Sequence, residues 1–262
     1  MISFEMPEPI RERLDFVREV ARTRMRPAAR DFDEREHEVP WEFVNLMWEA
    51  SLRTGQSFRS GARPEGDGAL LAAQTIVHVI EMLSWGDAGI YLCTPGAGLG
   101  GAAIEATGTP EQKQRFLARY REGPPKWAAM AMTEPHCGSD TAAIRTSAVK
   151  QGEHWVLNGE KIFVTSGHKA LIDSQGLLVV WATVDPRAGR AGIKPFVVEA
   201  GTPGVRVSKL EKKMGIRASD TASVVLEDCR VPLANLLGPE QVADPGKGFK
   251  GAMATFDATR PS

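Results

Sequence analysis

Hydrophobic spacing divides the chain into two unlike parts. In the first, about residues 1–125, apolar positions recur at helical spacing. Ile10, Leu14, Val17 and Ala21 line one stripe opposite a face of Arg and Glu. Pro27 should end or kink that helix. Pro40 opens a second, with Phe43, Leu46 and Met47 inward. A polar stretch from Gly55 to Gly68 reads as a loop, and Arg53, Arg59 and Arg63 as a solvated rim around it. Residues 70–83 read as a buried helix with His78 as a packed core residue. Thr109-Pro110-Glu111-Gln112 carries a helix start: Thr caps, Pro takes the first turn, and Gln112 completes a capping box. That helix should end at Gly123-Pro124-Pro125, the expected domain boundary.

From Lys126 the period changes from that of helices to that of strands. Strands are expected at 127–132, 146–150, 154–158, 160–164, 177–181, 194–198, 205–209 and 223–226. Turn signals at Gln151-Gly152, Asn158-Gly159, Asp185-Pro186 and Pro203-Gly204 separate them. Asn158-Gly159 should form a tight hairpin, because both turn positions need positive φ. Short strands with Gly and Pro turns predict a sandwich or barrel. The expected class is therefore α+β. A helical domain spans 1–125 and a β-barrel or sandwich domain spans 126–238. Residues 239–262 form a linker and the first turns of a further helical bundle, the helix starting within 246–259.

Composition narrows the function without naming it. The chain has 262 residues, 42% apolar and 25% charged, with a net charge of −1. Those values suit a soluble globular protein and give no basic field for nucleic acid or anionic membrane. Cys93, Cys137 and Cys229 lie far apart and show no metal-ligand spacing; an odd number argues against a disulfide framework. No targeting peptide is visible in MISFEMPEPI, and no apolar run reaches membrane-spanning length. A cytoplasmic, reducing location is the expectation. Gly96-Ala97-Gly98-Leu99-Gly100-Gly101 fits G-x-G-x-x-G, which would suggest a nicotinamide enzyme. No βαβ unit surrounds it, so the motif reads as small residues that let helices approach closely.

Four ordered blocks carry a more specific signal. The first is Met130 to Gly167, MAMTEPHCGSDTAAIRTSAVKQGEHWVLNGEKIFVTSG. Then come Met214-Gly215-Ile216-Arg217-Ala218-Ser219-Asp220-Thr221, Gly248-Phe249-Lys250, and Phe256-Asp257-Ala258-Thr259-Arg260-Pro261. In this order they resemble the acyl-CoA dehydrogenases, flavoenzymes that oxidise acyl thioesters. The resemblance implies FAD as cofactor, acyl-CoA as substrate and an electron-transfer flavoprotein or similar acceptor as partner. It also implies fatty-acid oxidation as the setting and a homo- or hetero-oligomer as the full-length form.

The resemblance assigns residues as well. Thr133 and Thr165 would offer donors to the flavin edge, and Phe163, where an aromatic residue is usual, would cover one ring face. Met130 and Met132 would line the pocket, with Val164 beside them. Gly138 and Ser139 would approach the FAD pyrophosphate, and Ser139 the acyl-CoA. Asp257, Thr259 and Arg260 would contact or organise acyl-CoA. Glu134 would belong to the turn rather than act as a base. His136 and Cys137 depart from the small residues common at their positions, which raises the question of a reactive Cys137. Ala258 departs from a Lys found in some members. In the family the proton-abstracting glutamate lies in the C-terminal bundle, beyond Ser262, so no catalytic base is expected in this chain. The alternative is a non-catalytic flavin- or acyl-CoA-binding partner of a separate bundle-bearing chain.

Overall fold

The structure, a computed structural model, describes residue 6 and residues 8–54, 67–242 and 250–259. The helical part opens with α1 (Glu8–Val20), whose stripe Ile10, Leu14 and Val17 is buried. A single wide turn, Ala21–Met25, follows, and regular helix stops just before Pro27. After a short α2 (Ala29–Glu34), Pro40 precedes α3 (Trp41–Thr54), which buries Phe43, Val44, Met47 and Trp48. Arg53 ends α3 on the surface, 3.3 Å from Glu49; Arg59 and Arg63 lie outside the described residues.

The long α4 (Asp67–Tyr91) corrects one expectation. Thr75, Val79 and Leu83 face the core, yet Val77 is 51% exposed and His78 only half-buried beside Glu81. Among the described residues α1, the Ala21–Met25 turn and α2 pack against α4, and His78 is half-buried beside them rather than a packed core residue. Next come α5 (Gly98–Thr107) and α6 (Pro110–Leu117). The capping box forms as read: Gln112 N donates to Thr109 Oγ1 and Thr109 N to Gln112 Oε1. The Gln112 amide also donates to the Ala234 and Leu236 carbonyls, tying α6 to the end of the sheet region.

The strands are β1 (Ala128–Ala131), β2 (Ser147–Gln151), β3 (His154–Thr165), β4 (Leu177–Thr183), β5 (Ile193–Glu199), β6 (Val205–Leu210) and β7 (Thr221–Pro232). They form one curled seven-stranded sheet in the order β1-β4-β2-β3-β7-β6, with β5 on the other edge of β4. β1 runs parallel to β4 along its first half, and Ser147 of β2 meets its last residue, Thr183. Every β4 side chain is buried, and the continuous apolar run LLVVWAT records this. The helical-then-β class expected from the period change is the one the chain adopts.

The Asn158-Gly159 hairpin does not form. Both halves belong to the single strand β3; the turn lies one signal earlier, between Gln151 and His154, with Gly152 at φ 57°. Gly159 instead takes φ 155° at a bulge against β7. Thr146 packs so close that a Cβ on Gly159 would sit 2.4 Å from its Oγ1. Asn158 is held sideways: its Oδ1 accepts Asp228 N at 2.8 Å. A glycine with positive φ serves a bulge as well as a turn, and here the long partner β7 selects the bulge.

The glycine motif is no dinucleotide loop. Gly96 pairs with Trp127 ahead of β1, and a Cβ on Gly100 would lie 2.7 Å from the Ala129 carbonyl oxygen. Small residues do permit close approach here, of helix α5 to strand β1 and to its neighbouring helices. The final helix α7 (Lys250–Thr259) buries Ala252 and Thr255, and its Gly251 lies against Thr107 of α5. No helix among the described residues is long and apolar enough to cross a membrane.

Candidate cofactor and substrate site

The ends of β1 and β3 meet. Ile162 N donates to the Thr133 carbonyl at 2.9 Å, which brings Met132-Thr133 beside Phe163-Val164-Thr165. Between Lys161 and Val164 the register against β7 slips, and Phe163 takes φ 58°. This bulge turns the Phe163 side chain out of the sheet, where it is 61% exposed. Val164 returns to the core opposite Ala222, so only its main chain faces the site; Thr165 pairs with Thr221 and is half-buried. Ser166 follows at φ 58°. Two non-glycine residues with positive φ among four consecutive residues mark a strained strand exit, the kind of backbone that persists where a site requires it.

Met130 is half-buried and Met132 buried. Gly138 and Ser139 lie exposed on the loop after Pro135, and a Cβ on Gly138 would be 3.9 Å from the Thr133 methyl. The loop thus returns beside Thr133. Asp257 and Thr259 fall on the backbone of α7, while Arg260 lies outside the described residues.

Beneath this surface lies an ion pair that hydrophobic spacing did not reveal. Lys161 Nζ donates to Glu134 Oε1 at 2.7 Å and to the Met132 carbonyl at 3.0 Å. Glu134 Oε1 also accepts from Thr146 N and Oγ1, and Oε2 accepts Arg145 N at 2.8 Å. Burial pushes the Glu134 carboxyl up, but Lys161 and these donors outweigh it and hold the group below the ordinary carboxylate value. Burial likewise pulls Lys161 down, against the pull of Glu134, to about 8. Glu134 is thus part of the scaffold of the turn.

His136 Nε2 lies 3.6 Å from Glu134 Oε2 and 2.9 Å from the Ala143 carbonyl. Ligand atoms of Glu134, His136 and Cys137 lie within 4.8 Å of one another. Lys161 already neutralises the carboxylate, however, and burial raises the Cys137 thiol, which disfavours the thiolate that a metal or an electrophile needs.

The second sequence block supports the first. Asp220 O accepts Ser166 N, its carboxylate accepts His168 N at 2.8 Å, and it forms an ion pair with the buried Lys169. Glu36 accepts Lys213 N at 2.8 Å and ties the same loop to the turn after α2. Lys161 falls within the strand expected at 160–164, and hydrophobic spacing singles out neither it nor Lys169. Their only visible signal is the acidic residue within a neighbouring block.

A small recess lies beside Thr165. Gly96, Gly98, Leu99, Trp127, Ala128, Thr165 and Ser166 line it. A helical layer, a curled sheet against it, and a strained hydroxyl-bearing edge beside a glycine-rich helix start meet at this recess.

Comparison with known proteins gives this arrangement its family. The N-terminal domain of acyl-CoA dehydrogenases matches residues 8–124 and the middle domain residues 129–229. Acryloyl-CoA reductase (NADH) of Anaerotignum propionicum is 39% identical over 250 residues, covering 93% of this chain and 58% of that protein. Butyryl-CoA dehydrogenase of Megasphaera elsdenii superposes with a TM-score of 0.80 at 30% identity, over 99% of this chain and 64% of that one. Glutaryl-CoA dehydrogenase of Mycobacterium smegmatis in complex with FADH2 gives 0.77 at 26% identity, over 97% and 60%. The chain belongs to the acyl-CoA dehydrogenase family. It spans 58% of the length of the acryloyl-CoA reductase that it matches.

Proposed function

We propose that this chain provides the sheet-side wall of a site for FAD and acyl-CoA, in a flavoenzyme that converts acyl-CoA thioesters to enoyl-CoA. The observation that carries the reading is the junction of β1 and β3, where Thr133, Phe163 and Thr165 share one strained, open edge. A ring-shaped cofactor fits it. Phe163 offers an exposed aromatic face, Thr133 and Thr165 offer hydroxyls, and Val164 contributes main chain. Met130 and Met132 would flank the ring, and Gly138 and Ser139 would receive phosphate, where glycine allows close backbone approach.

Bound FAD would supply the two-electron acceptor for the β-hydride of the thioester. The chain's own part is to hold the ring edge and place donors along it, fixed in advance by the sheet. We assign Asp257, Thr259 and Arg260 to acyl-CoA. We assign no general base to these residues, since Glu134 is already paired with Lys161. Without a base, residues 1–262 alone should turn over poorly, because general-base catalysis is worth about 10²–10⁴-fold. An electron-transfer flavoprotein or similar carrier is the expected acceptor, in a homo- or hetero-oligomeric enzyme in the cytoplasm.

Rapid mixing of the flavin-loaded full-length enzyme with acyl-CoA tests the reading. Thr165→Val removes one preorganised donor and should slow flavin bleaching by about 10²–10³-fold. An unchanged rate and reduction potential would contradict the assignment.

A further inference from the structure

The strand exit that carries Thr165 is held from the start of β7. Asp220, the residue before Thr221, grips it at three points. Its carbonyl accepts Ser166 N at 3.2 Å, its carboxylate accepts His168 N at 2.8 Å, and the same carboxylate pairs with Lys169 Nζ. The two main-chain bonds span Ser166 and Gly167, directly after Thr165, and Ser166 is the residue held at φ 58°. The clamp thus fixes the backbone that sets where the Thr165 hydroxyl stands.

A neutral acceptor would serve that grip. A carboxylate also brings a charge, and the Lys169 and Asp220 side chains are only 1% and 3% exposed. Stability does not require such a pair, since well-packed apolar residues of similar volume are often as stable. The charges around it are paired or reach water. His168 and Asp173, 3.0 Å apart, are 31% and 22% exposed, and Lys213 Nζ donates to the Ile216 carbonyl at 2.7 Å. Lys169 and Asp220 alone act from a dry place, where one uncompensated charge is felt strongly.

We propose that Asp220 is a positioning residue for the flavin edge, and that Lys169 cancels its charge so that the clamp adds no net charge beside the ring. The inference rests on the functional reading above, in which the ring edge lies along Thr133 and Thr165. Hydride transfer from the thioester brings one negative charge to that edge. A lone Lys169 would favour the added charge, and a lone Asp220 would oppose it. Together they hold the backbone and leave the reduction potential to the donors along the edge.

The test is the reduction potential of the bound flavin in the full-length enzyme, measured by equilibration with a reference dye. Asp220→Asn keeps an acceptor for His168 N and removes the negative charge, whereas Lys169→Met removes the positive one. The first should raise the potential and the second lower it, each by about 30 mV, a roughly tenfold change in the two-electron equilibrium. Structural damage alone gives no such opposition of sign. Two uncharged double variants test the positioning even if neither single variant folds. Lys169→Met with Asp220→Asn should keep the wild-type potential and the visible circular dichroism of the ring. Lys169→Met with Asp220→Ala, which loses the acceptor, should change that spectrum. Potentials that move in the same direction or not at all, or identical spectra for the two double variants, would overturn the inference while leaving the functional reading intact. Failure of the wild-type enzyme to bind flavin would overturn both.

Discussion

Lys161 and Glu134 form an ion pair of 2.7 Å in which the two side chains are 0% and 2% exposed. The lysine also holds the Met132 carbonyl, so one buried cation joins the end of β1 to the middle of β3. Removing either partner leaves the other charged and without a counter-ion. Lys161→Met should therefore destabilise the fold by about 3–5 kcal/mol, measured by denaturant unfolding. The double substitution Lys161→Met with Glu134→Leu should recover much of that loss, because a well-packed apolar pair avoids desolvating two ions. A loss below about 1 kcal/mol for the single variant would place the pair outside the folded scaffold.

The same pair predicts an acid limb. Glu134 is held below its ordinary value of 4.5. A carboxyl lowered in the folded state contributes stability that is fully present above its unfolded value. That contribution is lost as the pH falls through the folded one, because the unfolded chain then binds the proton first. Stability should fall as pH drops below 4.5, and Glu134→Gln should flatten that slope. Parallel pH profiles for the two proteins would refute this.

Gly159 gives a sharper local prediction. Its φ of 155° is a conformation essentially reserved for glycine, and a Cβ would strike Thr146, a donor to Glu134. Gly159→Ala should cost about 1–3 kcal/mol or more in unfolding free energy. Limited proteolysis should then open the 158–159 bond, which the intact strand protects. A neutral substitution would show that the bulge is adaptable.

These residues also show where sequence reading ended. Helix starts were legible wherever the signal was local, as at Pro40 and in the Thr109–Gln112 box. The strands of β4 and β5 announced themselves as apolar runs. Asn158-Gly159 misled because the same dipeptide satisfies a turn and a bulge, and a partner 70 residues away in sequence decides between them. His78 misled because an apolar helix can keep part of its surface exposed, as α4 does at Val77. Thr133, Phe163 and Thr165 were readable only through the ordered blocks. Their meeting depends on one slipped register, and the two buried lysines beneath them depend on partners far along the chain.

The most direct test of the central claim is an equilibrium titration of FAD into the purified protein, followed by visible circular dichroism of the bound ring. The account predicts a saturable signal at one site per chain. Phe163→Ala and Thr165→Val should each weaken it by about tenfold, the scale of one lost contact of about 1.4 kcal/mol. Ile172→Ala, a substitution at an exposed residue outside the proposed site, should leave it unchanged. No saturable signal, or equal affinity in all four proteins, would contradict the assignment of the β1–β3 edge as the flavin wall.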